Sequence, residues 1–135
     1  MIYNLRPEFA CKLLLVMSSA LIVFHVFNIL GLIPFNIIWL GFGSGQKALF
    51  LGLLSILLNG IIFLCAVVKC NYVDMKCLKP IVESILPFVF WWLVGNTVAN
   101  LFSKSMIEVI VFTPVLLVLT VCVFMIKDST DTPVK

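Results

Sequence analysis

The sequence predicts an all-helical bundle of four transmembrane helices, with both ends in the cytoplasm. Three observations carry that prediction. Hydrophobic residues make up 63% of the 135-residue chain and charged residues 11%, against about 45–50% and about 25% in a soluble domain. The apolar residues gather into four runs, each near the ~20 residues that cross a bilayer as a helix. The basic residues fall unevenly between them. Arg6, Lys12, Lys69, Lys76, Lys79, Lys127 and Lys135 share one side of a four-span topology, and Lys47 and Lys104 share the other. Positive charge resists translocation, so the richer side is expected to face the cytoplasm.

The first run spans about Cys11 to Ile33 and is expected to stop at Pro34, where a helix would lose a backbone hydrogen bond. It continues well past the length of a secretory signal core and ends without a small-x-small cleavage site, so it reads as a retained span. A glycine-rich turn, Gly41 to Gly45, leads into the second run, about Lys47 to Val68. The third follows Pro80 and covers about Ile81 to Phe102. The fourth covers about Met106 to Ile126, and Lys127 to Lys135 reads as a polar tail. Four spans use most of one domain's worth of chain. Any site must therefore lie within the bundle, in its short loops or between subunits.

Cys11, Cys65, Cys70, Cys77 and Cys122 all map to the cytoplasmic half, where thiols stay reduced. No structural disulfide is expected from this placement. The spacing of Cys70 and Cys77 matches neither a CxxC dithiol nor a zinc knuckle. No cofactor, metal or catalytic residue is assigned.

The uncharged polar residues inside the runs carry more information. Ser18, His25 and Asn28 recur at helical spacing in the first span, and Trp92, Asn96 and Asn100 in the third. At about 1.5 Å per residue, His25 lies roughly 21 Å and Asn96 roughly 22 Å from the cytoplasmic start of their helices. A polar group facing hydrocarbon without a partner costs several kcal/mol, so these side chains should turn inward. The expected result is an outer-half cluster of His25, Asn28, Asn96 and Asn100 near Lys104 and Glu108, roofed by Trp39, with Trp92 as an aromatic wall beneath it. Trp91 and Trp92 sit near mid-bilayer, where an indole donor wants an acceptor. Trp92 is expected to face the bundle.

Each feature also has a packing explanation. Asn and His can act as interhelical glue. Ser105-Met-Ile-Glu108 reads as a capping box, and Glu83 suits the positive end of the third helix. Gly52, Ser55 and Asn59 share a face that lets helices approach.

The run Gly95-Asn-Thr-Val-Ala-Asn-Leu-Phe-Ser-Lys-Ser-Met-Ile-Glu108, followed by Phe112-Thr-Pro114, resembles a group of small four-span bacterial inner-membrane proteins of uncharacterised function. That resemblance covers about a quarter of the chain. It implies architecture and a bacterial inner-membrane setting, and no activity.

Two functional classes follow. One is a binding or transport-type protein that admits a small solute or proton through the outer polar cluster, in a homo-oligomer. The other is an accessory or scaffold subunit of a larger membrane complex, marked by a membrane-protein partner at fixed stoichiometry. Neither a nucleophile–base pair nor paired carboxylates support an enzyme. The net charge of +3 comes from topology determinants rather than from a basic face, so no nucleic-acid partner is expected. The partner common to both classes is the lipid bilayer.

Overall fold

The computed structural model describes residues 7–33 and 46–129. Its helices are α1, Pro7–Ile29, α2, Gln46–Lys69, α3, Lys79–Leu101, and α4, Thr113–Lys127, the last entered through a π-helical turn at Glu108–Phe112. Counting that turn with α4, the four candidate spans are 23, 24, 23 and 20 residues long. That is enough to cross the hydrocarbon core of a membrane.

The helices run alternately up and down. Contacts at one end, here called the base, fix this. Cys11 near the start of α1 is bonded to Cys70 just past α2, and Lys69 at the end of α2 pairs with Glu83 in the first turns of α3. Lys127, closing α4, lies 5.6 Å from the Phe90 ring centre and 5.5 Å from that of Phe124. The first and last described helical residues therefore share the base. Neighbours in sequence pack as neighbours in space, and α1 also meets α4 to close the bundle.

Glycine and asparagine, rather than proline, end the first two helices. Gly31 has a φ of 74° and donates its N–H to Asn28 O, while the Leu32 N–H reaches back to Phe27 O. Asn71, at φ 57°, repeats the pattern, with its N–H on Val68 O and the Tyr72 N–H on Val67 O. This double bond across a left-handed residue satisfies the last carbonyls of a helix. It stops α1 at Ile29, ahead of the expected limit at Ile33; Pro34 and the Gly41–Gly45 turn lie outside the described residues. Lys127, expected in a polar tail, is the last residue of α4.

Two prolines lie inside the apolar helices and act differently. Pro87 sits within α3, where it cannot donate to Glu83 O and the helix carries on past the missing bond. Pro114 stands at the second residue of α4. An α-helical path would drive its ring toward Ile110 O, and the wider π turn just before it relieves that contact. Thr113 closes the turn, with its N–H and its hydroxyl both donating to Glu108 O.

The core is a column of apolar side chains concentrated toward the base. Leu14, Val68, Leu86, Leu93, Leu119, Val123 and Ile126 are nearly or wholly buried. Near the far end, α1 and α2 approach so closely that a Cβ on Gly52 would stand 2.9 Å from Ile29 Cγ1. Glycine there leaves room for the Ile29 side chain of α1 against α2.

The base corrects one expectation. Cys11 and Cys70 form a disulfide with Cα atoms 6.2 Å apart, where reduced thiols were expected. The antiparallel pairing of α1 and α2 places these two residues within the 4.4–6.8 Å that such a bond requires. Proximity across the helix pair, which redox compartment does not report, sets this bond. Cys65 and Cys122 are free and buried, and Cys77 is free and exposed.

Candidate functional site

Near the far end the bundle buries polar side chains from three elements. His25 and Asn28 come from α1, Thr97 from α3, and Glu108 and Thr113 from the π turn and its junction with α4. The reason for each burial lies in helical register. On α1, Cys11, Leu14, Ser18, His25 and Asn28 make one inward stripe. On α3 the stripe is Val82, Leu86, Val89, Leu93 and Thr97.

One aromatic contact fixes how α1 meets the π turn. The Phe24 and Phe112 rings lie 5.1 Å apart. Asn28 is one helical turn farther out than Phe24 on α1, and Glu108 is about one turn farther out than Phe112 on its helix. Both are buried, at 0% and 5% exposure, and the two helices place Asn28 and Glu108 at a similar depth beyond that contact. His25 lies beside it, its ring 5.4 Å from Phe24 in an edge arrangement.

The hydroxyls of this region are largely satisfied within their own helices. Ser18 donates to Leu14 O at 2.7 Å and Thr97 to Leu93 O at 2.7 Å, the usual back-bond of a buried Ser or Thr in a helix. Asn59 donates to Ser55 O at 2.8 Å in the same fashion. Glu108 is held differently. Its carboxylate accepts the Ser103 hydroxyl, its N–H donates to Ser105 Oγ at 3.5 Å, and the Ser105 N–H donates to Ser103 Oγ at 3.0 Å. The Ser105 half of the expected capping box is present. Ser103 is a carboxylate partner that sequence spacing did not single out.

Asn28 differs from the other buried amides. Its Nδ2 donates to Ile33 O at 3.3 Å, which ties the chain beyond the helix cap back onto α1. Its Oδ1 is buried and accepts no hydrogen bond from the described residues. A buried carboxamide oxygen without a donor carries a desolvation penalty of about 1–3 kcal/mol.

The remaining expected site residues do not join this layer. Trp92 is 49% exposed and Trp91 69% exposed, so the aromatic wall beneath the cluster is not formed. The apolar stripe of α3 faces the core and turns Trp92 toward the lipid side, with Asn96 half-buried on its flank. The Asn100 amide donates to Asn96 O at 2.9 Å, inside its own helix. Lys104 is exposed on the bend after α3. Trp39 lies outside the described residues. Thr97, Thr113 and Thr120 are buried polar residues that the sequence pattern did not single out, and the i+7, i+4 succession of Leu86, Leu93 and Thr97 was the signal for the first of them.

Near the base, a groove of about 220 Å³ between α1 and α4 is lined by Phe9, Leu13, Leu117, Val118, Cys122 and Met125 among others. Its apolar lining suits a lipid chain.

Fold and site together define a class, a four-helix membrane-spanning bundle with a buried polar layer near one end. No protein-family model matches the chain, and no curated protein or solved structure is detectably similar to it.

Proposed function

We propose that the protein is a non-catalytic, multi-pass protein of a bacterial inner membrane that binds a small solute or proton through the His25, Asn28 and Glu108 layer, as the binding step of a transport-type function. One observation carries the reading: Asn28 Oδ1 is fully buried with no donor among the described residues, and Glu108, also buried, stands at a similar depth in the bundle. Residues serving only as interhelical glue would be expected to satisfy one another. Intramembrane ionisable groups are costly and commonly mark solute or proton routes. A π turn at the site adds support, because such turns occur often at functional positions.

The charge distribution supports an orientation with the base in the cytoplasm and the polar layer in the outer half. A second copy would supply the volume that four short helices lack. The open face of α3 offers a surface for it, since a side chain at Gly95 would meet open space and Gly95 lies beside exposed Phe88 and Trp92.

The test is a thermal-shift screen of the detergent-purified chain against small solutes across pH. A ligand specific to the folded state raises the melting temperature by mass action. The reading expects at least one such response, lost in both His25→Leu and Asn28→Leu. A flat screen, together with a partner that co-purifies at fixed stoichiometry, would replace it with the accessory-subunit reading.

A further inference from the structure

We propose that the apolar groove between α1 and α4 binds an anionic phospholipid of the leaflet that meets the base, with one acyl chain in the groove and the headgroup phosphate on Lys12. The proposal goes beyond the polar layer at the far end and does not depend on it.

The groove has the form and depth of a seat for one chain. Its buried lining residues, Ala10 and Cys122, are small and make a floor, while Phe9 and Leu117, 53% and 54% exposed, stand at its rims. On α4 it runs from Leu117 to Met125, which is about 12 Å along the helix axis. Met125 is two residues short of Lys127, the last residue of α4 at the base. The hydrocarbon core is about 30 Å thick, so the groove covers most of one leaflet.

Charge sets the headgroup. At the base, Lys69, Lys76 and Lys127 each have a carboxylate oxygen close by, at 3.2, 3.9 and 3.5 Å. Lys79 opens α3, which does not line the groove. Lys12 is exposed and forms no ion pair with any described residue, Glu8 one turn earlier included. It stands beside two lining residues, Phe9 at i−3 and Leu13 at i+1. Cα–Cβ bonds in a helix tilt toward its N-terminus, which for α1 is the base. A lysine so placed reaches the headgroup level along its apolar stem. A phosphodiester headgroup with no amine of its own matches this single cation, whereas a zwitterionic one carries its own positive charge. Basic positions between membrane helices bind acidic headgroups by the same attraction.

Lys12 also argues against a second copy in the groove. An isologous contact there would bring two Lys12 side chains to one interface, where like charges repel.

The experiment measures melting of the detergent-purified full chain in mixed micelles with phosphatidylglycerol or phosphatidylcholine of identical acyl chains. Phosphatidylglycerol is expected to raise the midpoint saturably, by roughly 3–8 °C more than phosphatidylcholine. Lys12→Gln should remove that difference, and so should Val118→Trp, which fills the groove; Lys76→Gln should keep it. A phosphatidylglycerol with a photoreactive group in one acyl chain gives a readout on the wild-type chain if Val118→Trp does not fold. Its cross-links should fall on Phe9 to Leu13 and Leu117 to Met125. Equal stabilisation by the two lipids, a difference that survives Lys12→Gln or Val118→Trp, or cross-links spread evenly over the four spans overturns the proposal. So does a dimer that Val118→Trp dissociates, which would give the groove to a second copy. Failure here leaves the solute reading standing, because that reading is tested at His25 and Asn28.

Discussion

Cys11 and Cys70, 59 residues apart in sequence, are joined across the base by a disulfide whose two residues are each 1% exposed. The bond ties the first turns of α1 to the chain just past α2, closing a loop that includes both helices and everything between them. Cross-linking a loop of this length restricts the unfolded chain by about 4 kcal/mol in the entropic account. The spans stay helical in lipid after they separate, so the realised stabilisation should be smaller, about 2–3 kcal/mol. Cys11→Ser with Cys70→Ser is expected to lower the melting temperature. Reductant should lower that of wild type by the same amount and leave the double variant unchanged. A wild-type midpoint that ignores reductant would show that the cross-link contributes nothing.

Lys69 and Glu83 form an asymmetric pair. The ammonium is 3.2 Å from Glu83 Oε1, with the lysine side chain 8% exposed and the glutamate 55% exposed. Removing the exposed partner leaves a buried cation without its counter-charge. Glu83→Gln should therefore cost about 1–2 kcal/mol, below the 3–5 typical of a fully buried pair because water screens one side. Lys69→Met, which removes the buried charge itself, should cost less than Glu83→Gln or stabilise the protein. Chemical denaturation of the two variants side by side checks the order, and a costlier Lys69→Met would refute this account of the pair.

Gly52 and Gly60 are both in α2, yet they predict opposite outcomes. A Cβ at Gly52 would meet Ile29 Cγ1 at 2.9 Å, whereas one at Gly60 finds no atom within 4 Å. Gly52→Val should push α1 and α2 apart at a cost of about 1–3 kcal/mol. Gly60→Ala should be neutral or stabilise by up to about 1 kcal/mol, because alanine favours the helix more than glycine does. Equal effects at the two positions would mean that close approach at Gly52 is not what holds these helices together.

Much of the fold was legible because bilayer thickness fixes span length, and apolar runs report it directly. The inward positions of Ser18, His25 and Asn28 were legible too, since polar side chains in hydrocarbon mark the protected face of a helix. The same rule misplaced Trp92. On α3 the protected face is marked by Leu86 and Leu93 with Thr97, and apolar residues in a membrane helix look alike whether they face protein or lipid. Helix ends were read from Pro34, while Gly31 had already closed α1 in a conformation that only local hydrogen bonding reveals. The π turn follows from Pro114 but needs a backbone to be seen. The Cys11–Cys70 bond escaped because redox compartment was used in place of distance.

Cys77 supplies the measurement that fixes orientation. It is free and exposed in the segment joining α2 to α3 at the base, while Cys65 and Cys122 are buried. Charge and redox chemistry pull this end toward opposite compartments. The excess of Lys and Arg assigns the base to the cytoplasm, and a disulfide is more at home in an oxidising compartment. Charge acts when the helices insert, before any thiol has found its partner, so the base is expected to be cytoplasmic. A membrane-impermeant maleimide should then leave Cys77 unlabelled in intact cells and label it after permeabilisation, with Cys77→Ser as the blank. Labelling of Cys77 in intact cells would reverse the orientation and turn the polar layer of Asn28 and Glu108 toward the cytoplasm. The disulfide would then sit in the compartment that maintains it.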